Sequence, residues 1–187
     1  YVQGTAMQLT PTLWRSCRVL AGPTRLALLR QIVERPDRCV TDLAAAAKIS
    51  ESRASQELRR LQSRGLVRMV RAGPWTRYRP VTDPKVVSAR PLLTAAKESF
   101  AKWADEETCR VARAFGHERR LKIMQLLQTG SRTAGELRQS GALSKPALFR
   151  HLAALQAGGL VRHAQDGWER MPSPHPLART LFRLLAD

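Results

Sequence analysis

Ile49-Ser50, followed at a distance by Leu58-Arg59-Arg60-Leu61-Gln62-Ser63-Arg64-Gly65-Leu66-Val67, is answered later in the chain by Leu143-Ser144 and Leu152-Ala153-Ala154-Leu155-Gln156-Ala157-Gly158-Gly159-Leu160-Val161. Upstream of each stands a second matching pair, Arg25-Leu26-Ala27-Leu28-Leu29 and Arg120-Leu121-Lys122-Ile123-Met124. The offset is 95 at Arg25/Arg120 and 94 at Gly65/Gly159, so the register holds to within one residue. A repeat of this length is a duplicated domain rather than a solenoid unit.

Outward from these stretches, each copy shows the same order of elements. In copy one, Leu13, Cys17 and Leu20 lie at helical spacing, predicting a helix over about Pro11 to Ala21. Gly22-Pro23 breaks it, and Thr24 is placed to cap a second helix running through Val33. Thr41 is expected to cap a short Ala-rich helix from Asp42 to Lys48. Ser50 caps the next, whose Ala54, Leu58 and Leu61 form an apolar stripe. Gly65 sits where a C-terminal cap wants positive φ. Leu66 to Val70, the turn Ala72-Gly73-Pro74, and Trp75 to Val81 read as a hairpin carrying Arg68, Arg71, Arg77 and Arg79.

Copy two repeats the order. Leu92 to Phe115 contains neither Pro nor Gly and reads as one long helix joining the copies. Helix Glu118–Gln128 follows, then helices capped by Thr133 and Ser144, with Pro146 in the first turn of the last. Val161 to Gln165, the turn Asp166-Gly167, and Trp168 to Arg170 form the second hairpin. A helix from Leu177 to Leu185 closes the chain. The expected fold is mostly α with small β-hairpins (α+β): two tandem winged helix-turn-helix domains. Residues 7–90 form the first, 91–114 the connecting helix and 115–187 the second. Residues 1–6 read as a cloning scar before Met7.

Composition narrows the partners. The 187 residues carry a net charge of +17, which draws polyanions. Residues 7–90 hold 17 Lys and Arg against 6 Asp and Glu, or +11, whereas residues 91–187 hold 15 against 9, or +6. The first copy is therefore the expected electrostatic anchor. Three cysteines, Cys17, Cys39 and Cys109, with no secretory signal, fit a reducing cytoplasm. No run of 18 apolar residues is present. There is no phosphate-cradling Gly loop, no Gly-x-Ser-x-Gly and no pocketed carboxylate pair, so the chain does not read as an enzyme.

The segment Leu143-Ser144-Lys145-Pro146-Ala147-Leu148-Phe149-Arg150-His151-Leu152, continuing to Gly159-Leu160-Val161, resembles the recognition helix of ArsR-type bacterial winged-helix repressors, as does Ile49 to Val67. Leu20-Ala21-Gly22-Pro23-Thr24-Arg25-Leu26 resembles that family's second-helix entry, and Phe115-Gly116-His117-Glu118-Arg119-Arg120-Leu121 is a looser copy. The resemblance implies a cytoplasmic transcriptional regulator, a repressor, whose partner is double-stranded DNA. It also implies dimerisation through first and last helices, so that one chain would form its own pseudo-dimer, with a homodimer of chains as the alternative. Unequal recognition helices would read an asymmetric site. A charge-driven architectural protein and a protein-docking scaffold remain as alternatives.

Physics selects the same residues. A recognition helix enters the major groove by its first turns. With Ala54, Leu58 and Leu61 inward, the outward set is Ser52, Arg53, Ser55, Gln56 and Arg59. Arg53 suits a guanine edge and Gln56 an adenine edge. In copy two the set is Lys145, Ala147, Phe149 and Arg150, flanked by His151. Phe149 either meets a thymine methyl or tucks into a neighbouring helix. Arg71, Arg77, Arg79 and Arg170 are the hairpin candidates for phosphate contact. Trp75 and Trp168 are taken as matching positions that pack each hairpin onto its domain.

No cofactor is expected. Asp37-Arg38-Cys39-Val40-Thr41-Asp42-Leu43 resembles the family's metal-site segment, but Thr41 stands where a second Cys would be. The matching stretch of copy two, Arg132 to Leu137, has no Cys. One thiolate does not hold a soft ion.

Overall fold

The computed structural model describes residues 6–186, with side chains described from Leu13 onward. Apart from Ala6, where the first helix begins, the expected scar lies outside the described residues. Copy one consists of α1 (Ala6–Leu20), α2 (Pro23–Glu34), α3 (Val40–Ala47), α4 (Glu51–Gln62), β1 (Arg68–Ala72), β2 (Trp75–Arg79) and α5 (Ala89–Lys102). Copy two consists of α6 (Asp105–Phe115), α7 (Glu118–Leu126), α8 (Ala134–Gly141), α9 (Lys145–Ala157), β3 (Val161–Ala164), β4 (Gly167–Arg170) and α10 (Pro176–Ala186). A short 3-10 turn, Leu127–Thr129, extends α7. The helix-turn-helix pairs are thus α3–α4 and α8–α9, each followed by an antiparallel hairpin.

Local chemistry sets most boundaries. Ser50 Oγ accepts the backbone N–H of Arg53 at 3.3 Å and starts α4. At the start of α8, Thr133 Oγ1 accepts from Glu136 N–H, while the Glu136 carboxylate accepts from Thr133 N–H at 2.7 Å. Gly65 and Gly159 end α4 and α9 at φ of +67° and +68°, a conformation that a Cβ would strain. Two expected caps are corrected. Gly22 is the N-cap of α2, and Thr24 lies inside its first turn, because Pro23 opens the helix without needing a donor. Cys39, not Thr41, is the N-cap of α3, and the Asp42 carboxylate accepts the Cys39 N–H at 3.4 Å. Ser144 holds the N-cap position of α9, but its side chain makes no capping bond.

The expected single helix over residues 92–115 is two helices. Trp103 adopts φ −130° and ψ 147°, and α6 restarts after Ala104 with Asp105, Glu106 and Glu107 in its first turn. Three acidic residues at a helix N-terminus are favoured by the macrodipole. The carbonyls freed by the break find a donor in Arg30 of α2. Its guanidinium donates to Phe100 O at 2.7 Å and to the Asp105 carboxylate at 2.9 Å, and lies over the Phe100 ring.

One continuous core runs through both copies. The first helices of the two copies, α1 and α6, pack together, and so do their last helices, α5 and α10. Cys17 and Cys109 are buried at this seam. Burial pushes both thiols up, Cys109 to about 11 with Asp105 adding to the effect, so both stay protonated. The Cys109 S–H points at Leu20 O, 3.7 Å away. They behave as small apolar fillers. Thr108 Oγ1 lies 3.2 Å from Nε2 of buried His175, whose Nδ1 accepts the Leu177 N–H. This bond therefore fixes the start of α10 against α6. Among the described residues, no helix is long and apolar enough to cross a membrane.

The hairpins differ more than their positions suggested. Tyr78 makes an antiparallel bridge to Arg38, and Trp168 makes the corresponding bridge to Arg132. Met69 faces Tyr78 as His163 faces Trp168. The counterpart of Trp168 is therefore Tyr78, and both are buried. Trp75 has no counterpart. It lies near the tip of the first hairpin, which extends two pairs further through Arg71↔Thr76 and Ala72↔Trp75, and is 60% exposed. Its expected packing role is corrected, because the added length carries it beyond the domain. The second turn is Gln165-Asp166 rather than Asp166-Gly167, since Gly167 already pairs with Ala164. A Cβ on Gly167 would lie 2.4 Å from Arg132 O, so the bridge to Arg132 demands glycine there.

Candidate nucleic-acid interface

Helix α4 buries Ala54, Leu58 and Leu61 against α2 and α3. Each leucine so removed from water contributes about 1.5–3 kcal/mol, which fixes the rotation of the helix. The opposite face then necessarily carries Ser52, Arg53, Gln56 and Arg59, all exposed, with Ser55 half-buried beside them. Arg53 leans back toward α2, donating weakly to Thr24 Oγ1 at 3.4 Å. Glu57 sits behind this face. It accepts from Arg25 Nη1 at 2.8 Å and from Arg60 Nη1 at 3.0 Å, tying α2 to α4. Although burial works the other way, these two guanidinium contacts hold the Glu57 carboxyl below its ordinary range.

In copy two, α9 buries Leu148, His151, Leu152 and Leu155. Lys145, Phe149 and Arg150 are exposed and Ala147 is half-buried. Phe149 is 42% exposed and stands on the outer face of α9, beside α8. Next to it a pocket is lined by Ala134, Gly135, Arg138, Lys145 and Leu148. His151 is a correction. It is 6% exposed and its ring lies tilted against that of His117, with centroids 4.6 Å apart, which takes it off the outer face of α9. In the repeat register it is the counterpart of Glu57, behind the outer face.

The hairpin arginines also sort differently from expectation. Arg77 Nη1 donates to Asp37 O at 2.8 Å, and Arg79 pairs with the Asp37 carboxylate. Both are thus engaged with the loop before α3, although such exposed contacts are weak and exchangeable. Arg68 and Arg71 are exposed and make no ion pair among the described residues. In the second hairpin Arg162 pairs with Glu169 across the strands. Arg170 lies over the Phe182 ring of α10, 4.8 Å from its centroid, so it is held to its own domain rather than projecting freely.

Sequence reading overlooked a cluster beside α9 made of His117, Arg119, Arg120, Arg150 and His151. The signal was present in the repeat register, where Arg25 pairs with Glu57 but Arg120 meets His151. Among the described residues no group of three or more His, Cys, Asp or Glu converges as a metal site. Cys39 is instead engaged as the helix cap of α3.

Two helix-turn-helix units, each followed by a hairpin wing, define a tandem winged-helix protein. The sequence model of the bacterial regulatory protein, arsR family, matches residues 22–69 and again 117–163, together about half of the chain, and the chain belongs to that family. It is similar to the Halobacterium salinarum protein named arsenical resistance operon repressor ArsR2, at 39% identity over 69 residues, covering 36% of this chain and 58% of the relative. It is also similar to a transcriptional repressor SmtB homolog of Synechocystis sp., at 50% identity over 54 residues, covering 29% of this chain and 40% of the relative. The alignments thus span less than two thirds of either relative. No solved structure matches the chain at a significant level.

Proposed function

We propose that the chain is a double-stranded DNA-binding transcriptional regulator that acts by occupying its site, and that its two recognition helices read unequal half-sites. The observation carrying this reading is the rotation of α4 and α9. Each buries one apolar stripe and leaves a polar or aromatic face outward, with a net charge of +17 on the chain to hold a polyanion. Membership of a regulatory family with repressors among its relatives supports it.

Ser52, Arg53, Ser55, Gln56 and Arg59 form the first reading head. Lys145, Ala147, Phe149 and Arg150 form the second. Arg71 and Arg68 are the free phosphate anchors of the first wing. Arg77 and Arg79 join them by exchanging Asp37 for phosphate, and Arg170 contributes least. The pairing of α1 with α6 and of α5 with α10 within one chain supports a monomer acting as its own pseudo-dimer. The two heads then face major grooves about 34 Å apart.

The test is a binding series on duplexes containing and lacking the preferred site. Arg53→Ala and Gln56→Ala should flatten sequence preference, each losing about 1–3 kcal/mol of discrimination at one base position. Arg71→Ala should weaken all duplexes alike and reduce the salt slope by about one. Identical behaviour of all three variants would contradict the division into reading and anchoring residues. Charge-driven architectural binding predicts a steep salt dependence with no preference to lose.

A further inference from the structure

The two copies place an arginine at the same bend, Arg25 in copy one and Arg120 in copy two, and satisfy it differently. Arg25 Nη1 donates to Glu57 at 2.8 Å, Nε to Val19 O at 2.7 Å and Nη2 to Arg18 O at 3.3 Å. Arg120 keeps the last of these alone, with Nη2 donating to Arg113 O at 2.9 Å. Its Nε is buried and has no partner among the described residues. The position of Glu57 is taken by His151, and among the described residues no carboxylate pairs with Arg120.

A guanidinium does not discharge in a protein, and a partly buried one without a counter-charge is costly. Around it lies an open pocket of about 490 Å³ lined by His117, Arg119, Arg120, Arg150 and His151. All five are cationic or imidazole side chains. His117, the N-cap of α7, accepts the Arg119 N–H on Nδ1 at 3.1 Å, which leaves its Nε2 as the protonated donor. The pocket therefore offers guanidinium and imidazole N–H donors and no acid.

We propose that this pocket is a site for a single oxyanion of the phosphate type, which supplies in copy two the negative charge that Glu57 supplies in copy one. The site stands independently of how the recognition helices read DNA. Its occupant is either a free oxyanion or a phosphate of a DNA backbone, since Arg150 belongs both to the pocket and to the outer face of α9. The surrounding field is consistent with either. Burial, with the neighbouring His117, Arg120 and Arg150, holds His151 down to about 4. His117 is lowered by burial together with Arg120, Arg119 and Arg18, against which only Glu118 acts. An anion in the pocket beside the two rings relieves this repulsion.

The experiment is an NMR titration of the full chain with inorganic phosphate at constant ionic strength, following the imidazole signals of His117 and His151 with His163 on the second wing as reference. Saturable shifts of His117 and His151, with His163 unmoved, are expected. His151→Glu should weaken phosphate binding at least tenfold by restoring the internal carboxylate. The reciprocal Glu57→His should create a second phosphate site beside Arg25, and it carries the swap test if His151→Glu fails to fold. Adding a duplex to the phosphate-loaded wild type then identifies the source. Displacement assigns the site to backbone phosphate, whereas retention assigns it to a free oxyanion. Shifts that never saturate in the wild type, or binding unchanged by His151→Glu, would overturn the proposal.

Discussion

The first wing is longer and richer in arginine than the second. Arg68 and Arg79 face each other in copy one, while the same rung in copy two is Arg162 opposite Glu169, closed as an internal ion pair. The first hairpin then continues for two more pairs and ends in Arg71 and exposed Trp75, beyond the point where the second has already turned. The bridges to Arg38 and Arg132, which seat each hairpin on its domain, are the same in both. Both copies thus share the bridges that seat the hairpin and differ in the residues that face outward. Copy one has become the longer, more basic arm. Copy two has turned its charge inward, around Arg120.

The sharpest way to break this contrast is at the equivalent positions behind the recognition helices. Glu57→Ala removes the counter-charge of a largely buried arginine and should cost about 2–3 kcal/mol, after discounting a buried pair for partial exposure. His151→Ala at the same position of copy two leaves no newly stranded charge and should cost less, about 1–2 kcal/mol from lost packing. Denaturant unfolding of the two variants gives the comparison. Equal losses would show that Arg25 and Arg120 are not differently compensated.

Acid should separate the copies next. All four histidines lie in copy two, and burial holds both His151 and His175 down to about 4. Both remain neutral in the folded protein while the unfolded chain takes up protons below about 6.5. Their contribution is therefore full above that pH and is lost as the pH falls toward 4. Each pH unit of depression is worth about 1.4 kcal/mol, so the two together weaken copy two by a few kcal/mol. Hydrogen exchange at pH 4.5 should show protection lost from α9 and α10 before α2 and α4. Earlier loss in copy one would contradict this. The smallest effect is expected at the wing tip. Trp75→Ala should leave the unfolding midpoint within experimental error, because the exposed ring supports no core, whereas Trp168→Ala should lower stability by about 3 kcal/mol or more.

Much of this architecture was legible in the sequence because the repeat supplied two independent readings of each helix and hairpin. Ala54, Leu58 and Leu61 alone fixed the rotation of α4, and with it the outward set. What escaped was set by contacts between distant segments. The break at Trp103 involves neither Pro nor Gly. Its local signal is the acidic run Asp105-Glu106-Glu107, but its support is Arg30, more than 70 residues away in sequence. Trp75 and Trp168 matched by residue type, but the ladder pairs Trp168 with the role of Tyr78, and four added residues in the first hairpin displaced the comparison. His151 looked like a flanking reader because helical spacing alone does not reveal that α7 covers that edge of α9. The tethering of Arg77, Arg79 and Arg170 likewise depends on Asp37 and Phe182, which periodicity cannot bring near.

One chain is expected to present two non-equivalent reading heads to a single duplex. Selection of bound duplexes from a random pool, followed by footprinting on the winners, tests it most directly. The expected product is one asymmetric site, with two different protected major-groove segments about one helical turn apart. Identical half-sites arranged as a palindrome, or enrichment of no sequence at all, would contradict it.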